Sequence, residues 1–70
     1  MKTAAIANPV GQTWRLKYGL LYAGLRGVAA TPVLVSGDDA EIFDSRDNPE
    51  MKARYYGAVL GYKFEVETIN

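Results

Sequence analysis

A small α+β domain, with a three-stranded antiparallel sheet in the order 2-1-3 and a helical segment between strands 2 and 3, is what this chain predicts. Three observations carry that expectation. Apolar and polar residues alternate over 13–22 and again over 62–69, and a period of two marks strands with one buried face. The run 28–35 is β-rich but contains Pro32, which cannot donate a ladder hydrogen bond and so places its strand at a sheet edge. Asn48-Pro49-Glu50 combines a capping side chain, a residue preorganised for the first helical position and a carboxylate facing the helix dipole. Seventy residues make one domain, because a chain of about this length buries only roughly 60% of its unfolded surface and cannot divide it between two cores.

Residues 1–12 show no sustained period and contain Asn8-Pro9 and Gly11, so they are expected to form a flexible arm or a short edge strand. The same Asn8-Pro9 cuts short an opening that otherwise starts like a secretory signal, whose apolar region runs to about 7 to 15 residues. The apolar tract 18–35 is interrupted by Arg26, Pro32 and three glycines, whereas a membrane helix needs roughly 20 mostly apolar residues. No membrane association and a cytoplasmic location are therefore expected, and the absence of Cys fits a reducing compartment.

Strand 1 begins at Thr13. Trp14, Leu16, Tyr18, Leu20 and Tyr22 alternate with Thr13, Arg15, Lys17 and Gly19, which puts an aromatic face against the core and a basic face towards solvent. Trp14, Tyr18, Leu21, Tyr22 and Leu25 also match a helical period, so strand or helix over 13–26 is not settled by periodicity alone. Gly19, Gly24 and Gly27 favour the strand, each costing a helix interior about 1 kcal/mol relative to Ala. Ala23–Gly27 then suits a hairpin loop, strand 2 follows from Val28 to Val35, and Ser36-Gly37 ends it. Asp38 with Glu41 has the spacing of a helix cap, so a short helix is expected there with Ile42 and Phe43 buried. The main helix should run from Pro49 to about Val59, with Met51, Tyr55, Ala58 and Val59 on its buried face and Gly61 as its stop. Strand 3 covers Tyr62 to Ile69. With strand 1 central, Glu65 and Glu67 lie across from Arg15 and Lys17, where such pairs contribute roughly 0.2 to 1 kcal/mol.

Charge is segregated although its sum is zero. Residues 1–37 carry +4, residues 38–50 carry −5, and the remainder carries +1. With neither His nor Cys in the chain, disulfides and the usual zinc sites are excluded. The hydroxyls have no His to activate them, and no phosphate-cradling glycine pattern occurs. No enzyme activity, cofactor or metal is expected. The function expected is protein binding, by a module that occludes or bridges a partner's surface through its acidic stretch and adjacent helix. Asp38, Asp39, Asp44 and Asp47 would supply the acid that steers encounter. Arg54 and an outward Tyr56 would supply a contact of hot-spot composition. Self-association through the edge of strand 2 is compatible with this. So is a role as a phage-type inhibitor of host machinery or defence, an expectation that rests on size and composition only. The alternative is a nucleic-acid-binding module that uses Arg15, Lys17 and Arg26 on the basic sheet face. It requires the interleaved aromatics to be accessible for stacking, and zero net charge weighs against it.

Overall fold

The computed structural model describes residues 11–69, so all but the last two residues of the expected arm lie outside the described part. Strands β1 (Trp14–Tyr18), β2 (Leu21–Arg26) and β3 (Thr31–Val35) are followed by a single 3-10 turn (Gly37–Asp39), helix α1 (Pro49–Leu60) and strand β4 (Glu65–Thr68). All neighbours are antiparallel, and the order is β3-β2-β1-β4.

The sheet thus has four strands where three were expected, and residues 14–26 are strand throughout except for a tight turn at Gly19 and Leu20. Two glycines with positive φ set the turns, Gly19 at 63° and Gly27 at 79°. A backbone conformation that suits a residue without Cβ fixes where a hairpin reverses. The expected loop Ala23–Gly27 is instead mostly β2, and the loop lies further along, at 27–30, closed by the Ala30 N–H donating to the Gly27 carbonyl. The reversal at residues 19 and 20 also resets the alternation. Tyr18 pairs with Leu21 and Lys17 with Tyr22, so Tyr22 joins the basic face rather than the apolar one. Of the expected neighbour relations one survives the extra strand and one does not: the C-terminal strand pairs with β1, but the Pro32 strand pairs with β2 instead of β1, because the new hairpin at residues 19 and 20 places β2 between them. The Pro32 strand is an edge, β1 is central, and β4 pairs with β1 with Arg15 opposite Glu67 and Lys17 opposite Glu65.

Helix α1 covers the face carrying Trp14, Leu16, Ala23 and Phe64, and Phe43 and Tyr56 complete the buried cluster. The Asn48 side chain accepts from the Met51 N–H at 3.1 Å, and Gly61 closes the helix in the left-handed region. Between β3 and α1 the chain passes from one face of the sheet to the other. The 3-10 turn lies on the open face, where a Cβ on Gly24 would meet the Asp39 carbonyl oxygen at 3.2 Å. Next, the Glu41 N–H donates to the Ala23 carbonyl, and Phe43 exchanges two hydrogen bonds of 2.9 Å with Trp14. Residues 41–43 therefore occupy the gap where β2 has splayed from β1. Only a three-residue 3-10 turn forms where a short helix was expected, without a side-chain cap. Of the two residues expected to be buried after it, Phe43 is and Ile42 is not. Among the described residues no helix is long and apolar enough to cross a membrane.

Candidate functional site

The acidic stretch does not form one surface. Asp44 and Asp47 build a closed local turn. The Asp44 N–H donates to Asp47 Oδ2 and the Asp47 N–H donates to the Asp44 carbonyl, both at 2.9 Å. Arg46 donates to Asp44 through its backbone N–H and through Nη2, the latter at 2.7 Å. Those bonds hold the Asp44 carboxyl down at about 2, the Arg46 side chain contributing most. Glu41 is taken up by the Tyr56 hydroxyl, which donates to it at 2.6 Å. Asp38 and Asp39 remain exposed on the 3-10 turn, across the sheet from α1. The spacing of Asp44 to Arg46 and Asp47 is that of an aspartate closing a short turn, a signal present in the sequence.

Arg54 and Tyr56 part company. Arg54 is exposed, while Tyr56 is 2% exposed, packed beside Phe43 with ring centroids 6.4 Å apart. Burial first, and then the hydrogen bond to Glu41, push the Tyr56 hydroxyl well above its usual range. The expectation of an outward Tyr56 is therefore corrected, and the helix is rotated about its axis relative to the face read from sequence. Its inward residues are Pro49, Ala53, Tyr56 and Leu60. The residues expected to be buried face out: Met51 is 62%, Tyr55 57% and Val59 51% exposed, and Ala58 is exposed as well. The reason is that α1 is apolar on two sides. An i, i+4, i+8 row and an i, i+3, i+7 row both fit a core-facing stripe, and the hydroxyl partner Glu41 together with the small residues Ala53 and Gly57 selects the second.

The basic face is largely neutralised. Arg15 donates from Nε to Glu67 Oε1 at 2.5 Å and lies over the Tyr22 ring, 4.1 Å from its centroid. The Arg15 hydrogen bond lowers the Glu67 carboxyl and raises the guanidinium in turn. Lys17 is 4.0 Å from Glu67, and Arg26 stands exposed at the far end of β2. Of the interleaved aromatics, Trp14 is buried and Tyr22 is half-buried beneath Arg15, while Tyr18 is exposed and stacked on Tyr62 at 4.5 Å.

A groove that the sequence did not suggest lies between α1 and β4. Its volume is about 500 Å³, within the roughly 300 to 1,000 Å³ range of ligand sites. Ala53 and Gly57 of the helix and Phe64 and Val66 from the sheet line its apolar part, with Glu50, Arg54 and Lys63 at its margins. Gly57 makes the geometry. A Cβ there would lie 2.5 Å from the Tyr62 carbonyl oxygen, so only a glycine lets the returning chain pass this close to the helix. A smaller depression beside Lys63 is lined by Lys17, Tyr18 and Glu65. Compared with family models, curated proteins and solved structures, the chain matches none.

Proposed function

We propose that this protein is a non-enzymatic protein-interaction module whose contact surface is the outer face of α1. The observation that carries this reading is the row Met51, Tyr55 and Val59, more than half exposed at successive turns of a helix whose other side already completes the core. Scattered exposed apolar residues need no explanation, whereas an aligned apolar row on a rigid element marks an interaction surface. Lys52 and Arg54 flank the row. The partner surface that complements it is an apolar cleft rimmed by carboxylates, and docking there would occlude that cleft or bridge it to another protein. Asp38 and Asp39, exposed on the opposite face, act in orientation rather than in the contact itself.

The test is affinity capture with the wild type, with Met51→Asp/Val59→Asp, and with Asp38→Lys/Asp39→Lys, each checked by circular dichroism and sedimentation. The helix variant should lose its captured partner while staying folded, and the acidic variant should slow association with little change in the retained set. An unchanged set with the helix variant would refute the reading.

Nucleic-acid binding is a second reading supported by one observation, the exposed Tyr18–Tyr62 stack with Lys17 and Lys63 beside it, since aromatic rings next to cations hold single strands by stacking. Filter binding at low salt decides it. Retention that falls steeply as salt is added supports it, and no retention removes it.

A further inference from the structure

We infer that the groove between α1 and β4 takes an extended peptide segment of a partner protein as a further strand on β4, apolar at its centre and bearing a carboxylate at its C-terminal end. The inference rests on the protein-binding reading but uses a different surface from the outer helix face.

The backbone of β4 provides the template. The Ile69 N–H donates to the Thr13 carbonyl at 2.8 Å, and Glu67 and Glu65 stand opposite Arg15 and Lys17 in the same register. In an antiparallel ladder alternate residues turn their N–H and C=O to the same side. Residues 65, 67 and 69 therefore face β1, while Phe64, Val66 and Thr68 turn their backbone groups to the outer edge. Among the described residues no strand pairs with that edge. The other edge is less receptive. The Ala23 carbonyl faces Glu41, so alternation turns Tyr22 and Gly24 towards β3, and Pro32, opposite Leu25, presents its missing donor to the free side. A proline there blunts an edge strand, whereas β4 has none.

Side chains give the added strand its composition. An incoming strand points alternate residues to one face. On the helix side they would enter the apolar groove, where Phe64 and Val66 form one wall and Ala53 and Gly57 the other. Main-chain bonds to an edge supply affinity in such complexes, and the pockets for alternate side chains supply specificity. Polarity follows from the charges. Tyr62, just after α1, stacks on Tyr18, so the C-terminal end of the helix lies beside the start of β4 and the two run antiparallel. Glu50 marks the groove end near Thr68, and Lys63 marks the end near Glu65. A segment antiparallel to β4, the slightly more stable arrangement, enters at Glu50 and ends by Lys63. A cation near its N-terminus and a carboxylate near its C-terminus complement that order.

The experiment is an amide titration by nuclear magnetic resonance with two synthetic octapeptides. Both alternate Leu and Thr in the centre, one with Lys near the N-terminus and Glu near the C-terminus, the other with those two charges exchanged. The first peptide should shift the amides of Val66 and Thr68 and slow their hydrogen exchange, leaving the already paired Glu65 and Glu67 amides unchanged. Lys63→Glu, at an exposed position, should weaken the first peptide severalfold and favour the exchanged one. Met51→Asp/Val59→Asp should leave the titration intact, so a failure of the outer-face reading does not register as a failure here. Shifts confined to Tyr18 and Tyr62, equal binding of the two peptides, or no binding at millimolar peptide overturns the inference.

Discussion

At the scale of single residues, Gly57 and Tyr56 determine how the helix is seated. In an ordinary helix interior Gly57→Ala would gain about 1 kcal/mol from propensity. Here the new methyl meets the Tyr62 carbonyl oxygen at 2.5 Å, a backbone atom that cannot rotate away, and overpacking of that kind costs about 1 to 3 kcal/mol. Gly57→Ala should therefore be destabilised, read as a lower urea midpoint, and an increase would show that the contact relaxes freely. By local propensity Gly57 is only a weak spot in a helix. Its purpose depends on a carbonyl five residues later, and no local rule reports that. Tyr56 is similar. Its burial depends on Glu41 to receive the hydroxyl, and that pairing requires the chain between them to have crossed the sheet first.

Elements were legible where their signals were local. Asn48, Pro49 and Gly61 bound the helix as expected, with Asn48 as its cap and the left-handed Gly61 as its stop, because caps act within one turn. The pairing of Glu65 and Glu67 with Lys17 and Arg15 followed from placing β1 at the centre. The count of strands did not follow, since Gly19 and Gly24 carry the same composition signal and only one of them lies in a turn. The choice of helix face failed for a related reason: Met51, Tyr55 and Val59 form as good a stripe as Ala53, Tyr56 and Leu60. This leads to a stability expectation for the element. Surface substitutions usually stay within about 0.5 kcal/mol, so Met51→Asp/Val59→Asp should unfold at nearly the wild-type urea concentration. A large loss would mean that the row is buried in solution by self-association, which sedimentation of the wild type would show directly.

For the whole molecule, electrostatics give the stability a defined acid limb. The folded Asp44 carboxyl titrates at about 2 and that of Glu67 is also lowered, against roughly 3.9 and 4.3 in an unfolded chain. A depressed carboxylate adds stability that is present above its unfolded pKa and is lost as pH falls through the folded one. Urea midpoints should therefore decline as pH drops from about 4 to about 2. Asp44→Asn/Glu67→Gln should start lower at neutral pH and decline less over that interval, and a parallel decline would assign the acid limb to other groups. Such compensation between +4, −5 and +1 segments was visible in the sequence as a total. The pairs that carry it were visible only in part, since Arg15 with Glu67 follows from strand register whereas the bond of Asp44 to Arg46 has no counterpart in the expectation that Asp44 faces a partner.

The passage of residues 41–43 through the gap between β1 and β2 has a kinetic meaning. The β1–β2 and β2–β3 hairpins close short loops and can form early, because the entropy lost in closure grows with loop length. Phe43 can bond to Trp14 only after both hairpins have set the edges of the gap. Its contacts should therefore be absent from the folding transition state, and weakening them should appear in the unfolding rate. Phe43→Leu should speed unfolding severalfold while the refolding arm of the chevron hardly moves, making this short segment the lock that governs how long the native state persists.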